Sequence, residues 1–269
     1  MALKDVTLGQ YFPGTSPVHR LDPRTKLLAT ILYIVALFLA KSFVSYGVMF
    51  ALLAFSIFLS KVPVKSILRG LKPILFIAIF TAILNLFYSP GEHVLFKVWI
   101  LTVTWEGVLQ AGFMVLRIMM LVAGTFLLTY TTSPILLTDG LESLLAPLKA
   151  IKVPVHELSM MMSIALRFIP TLIEETDKIM SAQRARGADF ESGGLLQRAR
   201  ALIPLLVPLF ISAFRRADEL AVAMECRCYH GGEGRTRLRQ LKYQSIDVAA
   251  LALFVGAAVA VGVLGRFGL

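Results

Sequence analysis

Two arginines, Arg186 and Arg227, close two long helical runs in the second half of the chain. Residues 155–187 read VHELSMMMSIALRFIPTLIEETDKIMSAQRARG, and residues 195–232 read LLQRARALIPLLVPLFISAFRRADELAVAMECRCYHGG. At about 1.5 Å per residue, each run would extend roughly 50 Å. Placing Ala185-Arg186-Gly187 over Cys226-Arg227-Cys228 sets Asp177 on Asp218, Ile179 on Leu220 and Ala182 on Ala223, a weak internal repeat. Counting back by three, four and seven, Arg186 lies over Gln183, Ala182 and Ile179, and Arg227 over Met224, Ala223 and Leu220. Each guanidinium therefore ends a stripe of small and apolar side chains. A planar group with five donors suits a carboxylate or a cluster of carbonyls. Two roles follow from the pattern: complementing the helix dipole, at a few tenths of a kcal/mol, or entering a groove on another protein as a docking tip.

The remaining reactive residue types do not assemble into a catalytic set. Cys226 and Cys228 point apart at i, i+2 on a helix and make no good disulfide. With His230 they offer three metal ligands and lack a fourth. His156-Glu157 has no second histidine at metalloprotease spacing. Gly231-Gly232-Glu233-Gly234 follows a helix, lacks the GxxxxGK[ST] pattern and reads as a helix stop. No catalytic residue, metal or cofactor is expected on this chain. Arg117 lies inside an apolar run, where charge is costly: it is either a functional residue or a structural one that faces the bundle and takes a carbonyl or Asn85 as partner. The structural reading is favoured because one charge makes no pathway. The Met160-Met161-Met162 run suits either a core or an adaptable partner surface.

The elements that carry these residues belong to a membrane protein. Of 269 residues, 57% are hydrophobic, against about 45–50% in a soluble domain by a similar count, and the mean hydropathy is +0.75. Apolar runs at 27–40, 46–60, 73–88, 107–130 and 246–264 approach bilayer length. Asp22-Pro23 starts the first as N-cap and N1, and Lys26 and Lys41 are expected to snorkel from it. Lys61, Lys65, Arg69 and Lys72 form a basic loop before the third. Trp99 and Trp105, in the loop 89–106, suit a headgroup belt. Pro170, Pro204 and Pro208 are expected to bend the two long runs. The expected fold is an all-α integral membrane protein with about five transmembrane helices and long cytoplasmic helices. Residues 1–132 would form a membrane domain of four spans, 133–243 a cytoplasmic helical region, and 244–269 a C-terminal span.

The net charge of +10 has three sources open to it: positive-inside bias, attraction to anionic lipid and an acidic protein partner. With the N-terminus inside, the inner side holds Lys4, Arg20, Arg24, Lys26, the Lys61–Lys72 cluster and every base from Lys149 to Lys242. The outer side and the spans keep Lys41, Lys97, Arg117 and Arg266. These bases flank the bilayer and follow no nucleic-acid motif, so nucleic acid is excluded as a partner.

The N-terminal YFPGTSPVHRLDPRTKLL, the central TTSPILLTDGLESLLAPLK, the VHELSMMMSIALRFIPTLIEE run and the two Xaa-Arg-Xaa endings resemble the transmembrane (T) components of energy-coupling factor (ECF) transporters. The resemblance covers nearly the whole chain and is strongest at 21–26, 131–175 and 201–239. It implies a non-catalytic scaffold in an ATP-driven importer of vitamins or transition-metal ions, in a bacterial or archaeal cell membrane. It implies two ABC ATPase subunits, which would carry ATP and Mg, and a small substrate-binding membrane subunit (S component). The family's coupling helices seat on the ATPases through Ala-Arg-Gly-like motifs. Ala185, Arg186 and Gly187 match that motif, whereas Cys226, Arg227 and Cys228 match at the arginine alone. By the same resemblance, Met160, Met161 and Met162 are candidates for contact with the substrate-binding subunit. A self-contained secondary carrier or channel is the rival reading, although the spans hold no chain of acids or histidines for proton coupling.

Overall fold

The computed structural model describes residues 11–88, 94–98, 101–190, 194–232 and 240–266. In chain order the elements are α1 (Pro17–Arg20), α2 (Pro23–Leu39), α3 (Phe43–Ser60), α4 (Val64–Tyr88), a hairpin of β1 (Val94–Val98) and β2 (Leu101–Thr104), α5 (Trp105–Thr131), α6 (Pro134–Leu145), a 3-10 turn (Ala146–Ile151), α7 (Val155–Ala185), α8 (Leu195–Ala201), α9 (Ile203–Glu225) and α10 (Ser245–Arg266). The chain divides into two compact units, one of residues 9–141 and 241–269 and one holding residues 142–240.

The first unit is the membrane part. Helices α3, α4, α5 and α10 are long and apolar enough to cross a bilayer. Helix α2 has 17 residues, about 25 Å of helix, and is short of a roughly 30 Å hydrocarbon core. Five spans are expected from the sequence, and four of the five have membrane length. Helix α5 packs along α4, and α10 along α2. Leu37, Met49 and Val261 are fully buried between helices, with Tyr33, Tyr46, Met120 and Tyr130 around them. By contrast Phe58 (81% exposed) and Phe76 (78% exposed) stand outward, where lipid is their natural solvent.

Three features of this unit differ from expectation. The bases Lys65, Arg69 and Lys72 lie in the first turns of α4 and not in a loop, with Pro73 inside the helix. A proline removes a single i to i−4 bond, and helix packing in a membrane tolerates that loss. The expected loop 89–106 contains a two-stranded antiparallel hairpin, Val98 opposite Leu101 and Val94 opposite Thr104. Trp99 lies outside the described residues, and Trp105 begins α5. Lys26 does not snorkel: it is buried, and its Nζ donates to the carbonyls of His19 (3.2 Å) and Thr131 (2.8 Å) and to Thr132 Oγ1 (3.2 Å). The last carbonyls of a helix lack intrahelical partners, and the ammonium satisfies one of them at the end of α5.

The N-terminal motif thus works as a staple. Asp22 caps α2 by accepting from the Arg24 N–H (2.9 Å). Burial would raise the Asp22 carboxyl, but its hydrogen bonds and ion pair with Arg24 hold it below its ordinary value. Arg24 in turn lies 4.0 Å over the Tyr243 ring. Asp247, almost wholly buried, accepts from the Asp22 N–H (2.7 Å) and from the Gln244 N–H (2.8 Å). The Gln244 bond is the backward half of a capping box at the start of α10. Nothing in the linear pattern singles out Asp247, because its main partner lies 225 residues away. Arg117 is resolved in favour of a carbonyl: it donates to Ala40 O (3.1 Å) and Tyr46 Oη (2.8 Å). Asn85 instead bonds Thr81 O and Met114 Sδ.

Candidate docking site

The second unit is built on α7 and α9. The first expected long helix forms as a single element of 31 residues, with Pro170 inside it. The second does not. It breaks at Leu202 into α8 and α9, because Pro204 falls in the first turn of α9. Proline there cannot donate to the carbonyl of Arg200, and its ring clashes with it. The chain restarts with Leu205 and Leu206 donating to Leu202 O (3.0 and 2.9 Å).

Helices α7 and α9 run antiparallel. Glu175 accepts from Arg216 (3.1 Å) and from the Ser212 hydroxyl, while Gln183 Nε2 donates to Pro204 O (3.3 Å). The Ser212 hydrogen bond, with Arg216 beside it, holds the Glu175 carboxyl below its ordinary range. Glu175 and Arg216 are equivalent positions of the internal repeat, 41 apart like Arg186 and Arg227. The contacts run from Glu175 with Ser212 and Arg216 to Gln183 with Pro204, an antiparallel register that sets Arg186 and Arg227 at opposite ends of the pair.

The backbone at the two tips is the same. At the first, the Gly187 N–H donates to Arg184 O (3.0 Å), the Ala188 N–H to Gln183 O (3.0 Å), and Gly187 has φ +88°. At the second, the Cys228 N–H donates to Glu225 O (2.9 Å), the Tyr229 N–H to Met224 O (3.0 Å), and Cys228 has φ +54°. Both are Schellman endings, the paired reverse bonds closing around one left-handed residue. Arg186 and Arg227 each stand immediately before that residue and are exposed, as are Ala185, Gly187, Cys226 and Cys228. Glycine takes this conformation freely, but an L-residue with a Cβ pays roughly 1–2 kcal/mol for it. The sequence mismatch between Gly187 and Cys228 thus conceals one geometry. Among the described residues, no group of three or more His, Cys, Asp or Glu side chains converges to hold a metal.

The apolar parts of both helices are left open. On α9, Ile203, Val207, Phe210 and Phe214 form an exposed stripe at helical spacing, and Phe214 is 68% exposed. On α7, Met161 and Met162 are exposed and Met160 is half-buried. The all-round apolar character of these segments suggests burial on every side, yet the buried residues of α7 and α9 are only Val155, Ser159 and Leu205. Gly232 returns onto the ring of His156, where an added Cβ would come within 2.3 Å. That contact puts the Arg227 ending and the methionine run at the same end of α7, with Arg186 at the other.

Membrane-length helices joined to an antiparallel helix pair with exposed ends define a multi-helix membrane protein. Sequence comparison agrees. The family model CbiQ, cobalt transport protein, matches residues 14–238. The chain is 54% identical over 265 residues to the energy-coupling factor transporter transmembrane protein EcfT of Thermosediminibacter oceani, covering 98% of this chain and 99% of that one. It is 55% identical over 266 residues to EcfT of Clostridium kluyveri, covering 98% of each chain. With EcfT of Bacillus subtilis it shares 49% over 253 residues, 94% of this chain and 96% of that one. The chain belongs to the EcfT family, the transmembrane components of energy-coupling factor transporters.

Proposed function

We propose that the chain couples two ABC ATPase subunits to a separate substrate-binding membrane subunit, in an importer of a vitamin or a transition-metal ion. The observation that carries this reading is the pair of identical helix endings. Each presents an exposed arginine from a Schellman turn, and the two stand at opposite ends of the antiparallel α7–α9 pair. Two tips at opposite ends of one rigid pair suit two seats on two subunits. Ala185, Arg186 and Gly187 would enter one seat, and Cys226, Arg227 and Cys228 the other. ATP and Mg would be bound by the ATPases. Closure of the ATPases on ATP would move the tips, and the α7–α9 pair would carry that motion to the substrate subunit. The exposed faces of α7 and α9, with Met160, Met161 and Met162, would hold that subunit. With the N-terminus on the cytoplasmic side, the lever pair would face the ATPases.

The test is charge reversal at both tips. A guanidinium buried in a seat leaves its acceptors unpaired when lost, at roughly 2–5 kcal/mol per site. Either single change is partly rescued by the other tip through effective concentration. The Arg186→Glu/Arg227→Glu chain should keep its fold and its substrate subunit, release both ATPases on purification, and fail in transport. A folded double variant that copurifies with the ATPases and transports normally would refute docking and leave the arginines as helix-dipole partners.

A further inference from the structure

The membrane unit contains a cavity of about 270 Å³ between α2, α3, α5 and α10, with Pro17, Val18 and Leu21 lining it from the α1 segment. Three of its walls share one spacing. On α2 they are Lys26, Ala29, Thr30 and Tyr33, at i, i+3, i+4 and i+7, one helix face over two turns. The stretches Gly124–Thr131 on α5 and Ile246–Leu253 on α10 repeat that spacing. Each stretch covers about 10 Å of helix axis, so the cavity is a slot lying parallel to the helices. At Gly124 the α5 backbone packs closely on Tyr33, whose ring an added Cβ would meet at 2.8 Å.

The slot is closed inward and open sideways. Ala29, Tyr33, Leu53 and Leu127, its floor, are all buried, whereas Phe55 on α3 and Leu253 on α10, at its mouth, are 50% and 45% exposed. Both mouth helices are membrane-length, so the mouth meets the hydrocarbon of the bilayer. The hydroxyls that line it are spent within their own helices: Thr30 donates to Lys26 O, Ser56 to Leu52 O, and Thr131 to Leu127 O, at 2.7–2.8 Å. The Lys26 ammonium is held by two carbonyls and a hydroxyl. Tyr33 Oη, at the floor, is buried without a hydrogen-bond partner among the described residues; the remaining lining is mainly apolar side chain, which suits a hydrocarbon guest.

We propose that this slot is a lipid site that holds one acyl chain of a bilayer phospholipid. The chain enters between α3 and α10 and lies along Ala29 and Leu127. Its apolar walls and lateral mouth fit a linear hydrocarbon. The site is independent of the proposed docking role of the lever helices.

The full-length chain, in nanodiscs of phosphatidylglycerol and phosphatidylethanolamine, is doped with a phospholipid carrying a diazirine within one acyl chain. After photolysis, adducts are mapped by mass spectrometry. Adducts should concentrate on slot-lining residues such as Leu53, Phe55 and Leu253, several-fold above those on the exposed α4 residues Ile77 and Ile83. Ala29→Leu, which fills the floor, and Ala249→Trp, an exposed position at the mouth, should each reduce slot adducts several-fold and leave the α4 adducts unchanged. If Ala29→Leu fails to fold, the Ala249→Trp result decides. Equal labelling of slot and α4, or slot labelling unaffected by Ala249→Trp, would overturn the proposal. So would a photoreactive amino acid at Phe55 that captures a protein in place of lipid in the native membrane.

Discussion

Exchanging the residue types at the two left-handed positions tests whether the helix endings present their arginines by geometry. Gly187 sits at φ +88° with nothing within 4 Å of an added Cβ, so Gly187→Ala meets no steric obstacle and carries backbone strain alone. That strain is roughly 1–2 kcal/mol, enough to shift the local opening equilibrium about 5–30-fold. Cys228 already bears a similar strain at φ +54°. Cys228→Gly should relieve it, for a smaller net gain of about 0.5–1 kcal/mol, because glycine loses more backbone entropy on ordering. Hydrogen exchange on the full-length chain reads both endings through the amides that close them, Ala188 to Gln183 O and Tyr229 to Met224 O. Exchange around 183–190 should accelerate in Gly187→Ala, and exchange around 224–230 should slow in Cys228→Gly. Under the proposed docking, the same Gly187→Ala chain should bind the ATPase subunits more weakly although Arg186 is untouched. Unchanged exchange at the first ending, or faster exchange in Cys228→Gly, would refute the shared geometry.

Three further outcomes are expected. Met161→Asp places a carboxylate on an exposed apolar face, at several kcal/mol once a dry partner covers it; capture of the substrate subunit should be lost in a monodisperse protein, and retained capture would clear Met161 of that contact. The Glu175 carboxyl is held low by Ser212 and Arg216, so its contribution is present above its unfolded pKa and lost as pH falls through the lower folded value. In Ser212→Ala the α7–α9 pairing should come apart at a higher pH than in the parent, as followed by exchange of Gln183–Arg184 amides on acidification. With the N-terminus inside, Ser192→Cys in a chain freed of Cys226 and Cys228 should resist an impermeant thiol reagent applied from outside, while Glu92→Cys should react; the reverse pattern would overturn the orientation.

Composition and periodicity determined the membrane character, because a bilayer demands long uninterrupted apolar helices and leaves that demand visible in one dimension. The Asp22-Pro23 cap and the two arginine-ended runs were legible for the same reason: caps and helix faces depend on neighbours within a turn. Tertiary structure decided what depends on distant partners. Lys26 reads locally as a snorkelling cation, yet it is buried because the end of α5 brings unpaired carbonyls to it. Asp247 drew no notice until Asp22 met it across 225 residues. Cys228 looked like a departure from Gly187 by residue type; only the backbone bonds placed both in the same left-handed turn. Glu175 and Arg216 read as charges interrupting two apolar runs, and became an ion pair once α7 and α9 lay antiparallel. A side chain's partner across the fold is set by packing of whole helices, which no spacing along the chain encodes.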